Sequence, residues 1–95
     1  MDLRSPVATA AVTVVTASIT VVTLAAANAA RTGLSVYNDS TAQLYLKEGL
    51  GASLTNFTVI MPGKALYETP FPAYPGIVTG IWDSATGSAK VTERA

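Results

Sequence analysis

No charged residue occurs between Arg4 and Arg31. At the centre of that gap, in "TVVTASITVVT" (13–23), almost every residue other than alanine is β-branched. How this segment is placed decides whether the chain belongs in a bilayer, outside a cell or in a soluble assembly, so it constrains the whole chain. It could be a membrane span, the core of a signal peptide, a helix or strand.

The length suffices for a bilayer, which takes ~20 residues. Yet of the 26 residues from 5 to 30 only eight are Val, Ile or Leu, and seven are hydroxylic. Neither end has an aromatic belt or a basic cluster. For a signal peptide, Arg4 could serve as the basic start and "AAANAA" (25–30) as the cleavage region, but the core is Thr-Val rather than Leu-rich. A helix is suggested by spacing: Thr9, Thr13, Thr16, Thr20 and Thr23 recur at four and three, as do Val12, Val15, Ile19 and Val22. Against it, β-branched side chains lose rotamer freedom in a helix. Strand is the favoured reading, because branched side chains pack well on a pleated surface. "VTVVT" (12–16) and "ITVVTL" (19–24) then form two strands, with Ala17-Ser18 as the break. The mixed alternation implies that both faces become covered, as in an arm (1–18) laid on another subunit.

Composition narrows the chemistry. The chain has 95 residues, so residues 19–95 are read as one small β domain. It contains no Cys and no His, which removes disulfides and the usual zinc, copper and haem ligands. Any metal would be a hard one held by oxygens; no metal and no cofactor is expected. Six basic and six acidic residues balance, and the basic ones are spread singly. Nucleic-acid binding, which needs a basic patch, is not expected. Charged residues make up 13%, about half of the usual ~25%. That suits a subunit whose surface is covered by copies of itself or by a partner.

From Gly33 the pattern is strand and turn. "GLSVYN" (33–38) and "QLYLKE" (43–48) alternate and flank the turn cluster "NDST" (38–41), which reads as a hairpin. "NFTVIM" (56–61) and "ALYET" (65–69) flank "MPGK" (61–64) and read as partner strands. Pro62 and Gly63 sit there as the central pair of a type II turn, Gly63 taking positive φ. "PFPAYPG" (70–76) is an extended loop, since its three prolines lack backbone donors. "GIVTGIWD" (76–83) is a strand with Gly80 marking a bulge, and "SAKVTE" (88–93) closes a last hairpin after the turn "DSATG" (83–87). The fold class is all-β: a small sandwich or barrel of about seven strands with an extended N-terminal arm.

General acid–base work needs a carboxylate pair or a His at short range. Asp39, Glu48, Glu68 and Asp83 each sit at a strand end or turn, where acids are common for solvation. No base–nucleophile constellation is present, and an enzyme is not expected. "NDS" (38–40) and "NFT" (56–58) match the glycosylation acceptor pattern, but turn and strand explain both. The aromatics read mainly as core and rim packing. Trp82 at a strand end is the best single candidate for an exposed anchor, followed by Phe71 and Tyr74 in the proline-rich loop. With Val12, Val14, Val15, Ile19 and Val21 of the charge-free run, these are the expected partner-binding residues.

Three motifs in order carry a resemblance over about residues 24–94. They are "AAN…R.G…YNDS.A.LY.K.G", then "PG..YE.P", then "G.V.GIWD.A.G.A.VTE". Together they resemble a group of small virion-associated proteins encoded among the head and tail genes of tailed bacteriophages. The loop 70–76 departs from the Tyr/Gly-rich loop of that group. The resemblance implies a structural role in a virus particle, most simply a capsid decoration (cement) protein. It implies the major capsid protein or other virion proteins as partners, and a homo-oligomer, with a trimer favoured. A carbohydrate-binding module, a head fibre, or a neck or tail component is the alternative. A secreted protein would show a mature N-terminus near residue 30.

Overall fold

The computed structural model describes residues 10–95. Its strands are β1 (Ala10–Thr16), β2 (Val22–Ala25), β3 (Gly33–Asp39), β4 (Leu44–Glu48), β5 (Val59–Met61), β6 (Leu66–Glu68), β7 (Val78–Trp82) and β8 (Ser88–Arg94). The described residues contain no helix. The all-β reading holds, with eight strands among the described residues where about seven were expected. Of the arm expected over 1–18, residues 1–9 lie outside the described residues. Residues 10–16 are β1, paired antiparallel with β8 of the same chain.

The pairing has a simple rule. β1 pairs β8, β2 pairs β7, β3 pairs β6 and β4 pairs β5, all antiparallel. The chain is therefore one long hairpin with its tip between β4 and β5. Rolling that hairpin brings β3 onto β8 and β4 onto β7. Two four-stranded sheets result, β1-β8-β3-β6 and β2-β7-β4-β5. This is the jelly-roll way of making a double sheet from eight strands.

The rolled hairpin overturns three local expectations. β3 and β4 are not a hairpin, nor are β5 and β6, nor β7 and β8: in each pair the two strands belong to different sheets. Alternation shows that one face of a strand is buried, but it does not say which strand lies beside it. The connections 40–43, 62–65 and 83–87 are arches that carry the chain from one sheet to the other across the core.

That core joins both inner faces. Leu34, Val36, Ala89 and Val91 come from the first sheet, and Leu24, Leu44, Leu46, Met61, Val78 and Trp82 from the second. The alternation in β3 is strict: Leu34, Val36 and Asn38 are buried, and the residues between them are half-buried. Gly80 marks close packing rather than a bulge. A Cβ there would lie 2.8 Å from Leu24 Cδ1 and 2.9 Å from Leu44 Cδ1. The register shift is instead in β2, between Thr23 and Ala25.

Candidate interaction surface

The two ends of the sandwich are built differently. One end gathers the arches after β1, β3, β5 and β7. There the Asn38 side chain is fully buried and donates from Nδ2 to the carbonyls of Ala42 (2.8 Å), Met61 (3.1 Å) and Pro62 (3.1 Å). Its Oδ1 accepts from Trp82 Nε1 at 3.0 Å. Ser40 Oγ accepts from the Ala42 amide and donates to the Thr86 carbonyl. Ala17 donates to Gly87 O, and the Trp82 amide donates to Ser18 O. Two arches and the end of β7 are thus tied to one buried amide, Ser40 ties the first of those arches to the 83–87 arch, and the β1–β2 connection is tied to the β7–β8 one.

The Pro-Gly turn follows the same logic. Positive φ falls on Lys64 (67°), one residue later than expected. Gly63 is required for contact: a Cβ there would stand 2.6 Å from Ser40 O. On the nearby surface Asp39 takes Lys64 Nζ at 2.8 Å and Lys90 Nζ at 2.9 Å, one on each carboxylate oxygen. Hydrogen bonds from Lys64 and Lys90 hold the Asp39 pKa at about 2, below its ordinary 3.8.

The other end carries the longer connections 26–32, 49–58 and 69–77. Arg31 organises it, with no side-chain exposure at all. It donates to Glu93 Oε2 (2.7 Å), Tyr74 O (2.7 Å), Gly76 O (2.9 Å) and Ala26 O (2.6 Å). A buried guanidinium is tolerable only when its donors are satisfied in this way. In the sequence Arg31 is one of six singly spread bases. Its one sequence signal is position, since it ends the charge-free run.

This framework decides where the expected contact residues fall. Trp82 is 1% exposed and gives its only polar side-chain atom to Asn38, so it is a core residue and not an anchor. Burial of the tryptophan follows from the inward phase of β7, shared with Val78 and Gly80. Val15 and Tyr74 are partly buried against the core. Val12 (65%), Val14 (60%), Ile19, Val21 and Phe71 (93%) are exposed. Val12 and Val14 lie opposite Thr92 and Lys90, on the outer face of the first sheet. Phe71 stands on the β6–β7 loop at the Arg31 end. The structure therefore groups Val12 with Val14 and does not bring Phe71 or Trp82 to them.

A second apolar surface was missed in the sequence. On the outer face of the second sheet Tyr45 is flanked by Ile60 and Ile81 across the strands. Phe57 meets the Tyr45 ring edge-on at 5.4 Å between centroids. The alternation of β4 pointed Tyr45 outward, but Ile60 and Ile81 join it only through the pairing.

Among the described residues there is no group of three or more acidic side chains that could hold a metal, and no helix long and apolar enough to cross a membrane. Searches of protein-family models, curated proteins and solved structures found no match to this chain.

Proposed function

We propose that this chain is a structural subunit of a tailed-bacteriophage particle, a decoration protein that lies on the outer capsid surface and stabilises it as part of an oligomer. The observation that carries the reading is the contrast between frame and surface. Buried polar pins tie both ends of the sandwich together, while uncharged apolar side chains stand in solvent along β1, at Ile19 and Val21, and on the 69–77 loop. Large exposed apolar patches mark sites that are covered in use. The virus setting comes from the motif resemblance. Most of the residues that carry it, including Arg31, Asn38, Ser40, Gly63, Trp82, Gly87 and Glu93, are framework. They speak for a shared frame, and the contact surface lies elsewhere.

Jelly rolls serve as capsid modules and as lectins, so the fold alone does not choose between them. With Trp82 buried, a carbohydrate site would have to be built on Phe71 or on the Tyr45–Phe57 pair. Quantitative mass spectrometry of purified particles tests the proposal. A copy number comparable to the major capsid protein supports decoration, and about a dozen copies or fewer moves the chain to the neck or tail. Absence from particles removes the virion reading. Glycan binding that is lost in Phe71→Ala would then favour the lectin.

A further inference from the structure

We infer that the free edge of β1 pairs antiparallel with the β1 of a second copy of this chain, joining two four-stranded sheets into one of eight strands.

The backbone geometry defines which groups are available. Ala17 N–H donates to Gly87 O at 3.0 Å, and the register runs unbroken from Thr16↔Ser88 to Ala10↔Arg94. In an antiparallel ladder, residues alternate between turning both backbone groups toward a partner strand and turning both away. Ala11, Thr13 and Val15 therefore bond to β8. Ala10, Val12, Val14 and Thr16 direct their N–H and C=O outward, where no described strand pairs with them.

The other three edges are protected. β5 and β6 have three residues each, and Pro62 and Pro70 flank them. β6 also carries Glu68. β2 has four residues and a register shift. Short length, proline, charge and irregularity are the usual ways of blocking an edge. β1 has seven regular residues, none of them charged or proline. Among the described strands it alone meets the description of an unblocked edge.

A second copy fits that edge better than an unrelated strand because β1 is self-complementary. With a two-fold axis through Thr13, all four outward residues find outward partners: Ala10 with Thr16 and Val12 with Val14, each way round. On the outer face this sets Val12 and Val14 of one copy beside Val14 and Val12 of the other. On the inner face Thr13 meets Thr13, and Ala11 meets Val15. Among the described residues no like charges are forced together. The nearest described base, Lys90, lies on β8, so the two copies' Lys90 residues stand three strand spacings apart, about 14 Å, beyond the ~8–10 Å screening length of ordinary salt. A two-fold pair of this kind is closed and uses the same patch on both copies. It differs from the trimer that the resemblance implies, which would need other surfaces.

The test uses the full chain over about 10 µM to 1 mM, the range suited to an interface smaller than the ~800 Å² per partner of stable complexes. Sedimentation velocity should show a monomer–dimer equilibrium. Amide hydrogen exchange should show Val12 and Val14 gaining protection in step with the dimer fraction, whereas Thr13 and Val15 are protected at every concentration. Val14→Pro removes an outward N–H and spares the β1–β8 bonds. It should leave the fold intact and weaken association at least about tenfold. Val12→Lys, a change at an exposed side chain, should do the same and serves if the proline variant does not fold. A monomer throughout, or Val12 and Val14 amides that exchange freely in an oligomer, would overturn the pairing. So would wild-type association in a folded Val14→Pro or in Val12→Lys. Pairing by a chain that is absent from particles would leave this inference standing and remove the virion reading.

Discussion

Trp82 Nε1 donates to Asn38 Oδ1 at 3.0 Å, and neither side chain reaches solvent. The bond crosses the core, from the second sheet to the first. It fixes the Asn38 amide so that Nδ2 faces the Ala42, Met61 and Pro62 carbonyls. Asn38→Asp keeps the size of the side chain but replaces the donor with a charged acceptor facing three carbonyls. Breaking a buried polar constellation this way costs about 3–5 kcal/mol. Trp82→Phe leaves only Oδ1 without its partner, together with a small void, and should cost about 2–3 kcal/mol. Urea denaturation followed by circular dichroism measures both, and the aspartate variant should be clearly the worse.

Arg31 closes the other end, and its four acceptors come from three separated stretches of chain. Arg31→Lys keeps the charge but cannot fan its donors over the same acceptors. The expected loss is about 2 kcal/mol or more, since several buried acceptors go unpaired. The effect should also be local. Hydrogen exchange should rise first in residues 26–32 and 70–76, while the Asn38 end keeps its protection. Equal loosening at both ends would show that Arg31 is not the local tie described here.

The strands were legible in the sequence because alternation and β-branching act over a few residues. Leu34 and Val36, or Leu44 and Leu46, could be assigned to one face without knowing what they met. Pairing was not legible. The β3–β8 contact joins Val36 to Val91, and nothing in either segment records the other. Proximity in sequence then suggested hairpins where the chain makes arches. The contact surface was half legible for the same reason. Val12, Val14 and Phe71 are exposed by local pattern, but whether Trp82 faced in or out depended on the phase of β7 within a sheet. The polar pins were hardest, because Asn38 reads as a turn residue until two arches and the ends of β5 and β7 converge on it.

Three glycines separate two kinds of constraint. Gly51 has φ 77° and open space where a Cβ would go. Gly63 has no positive φ but meets Ser40 O at 2.6 Å, and Gly87 combines φ 83° with Asp39 O at 2.6 Å. Gly51→Ala should therefore cost about 1–2 kcal/mol, the price of a left-handed backbone, and Gly51→Asn less. Gly63→Ala must move a backbone carbonyl in a packed arch, at about 1–3 kcal/mol. Gly87→Ala carries both penalties and should be the most destabilised of the alanine variants. Thermal unfolding of the set gives the ranking.

Asp39 predicts how the fold responds to acid. Its pKa is about 2 in the folded chain against 3.8 for the ordinary group, because Lys64 and Lys90 each donate to the carboxylate. A carboxylate with a lowered folded pKa binds protons more readily in the unfolded chain. Its stabilisation is therefore complete above about pH 3.8 and is lost as the pH falls toward 2. The group is solvent-facing, so salt should shrink the effect. Urea midpoints measured from pH 6 to pH 2 should fall most steeply in that lower window. Asp39→Asn should start lower at pH 6 and flatten the window, with the two curves converging near pH 2. Parallel curves for the two proteins would mean that the Lys64–Asp39–Lys90 bridge does not persist in solution.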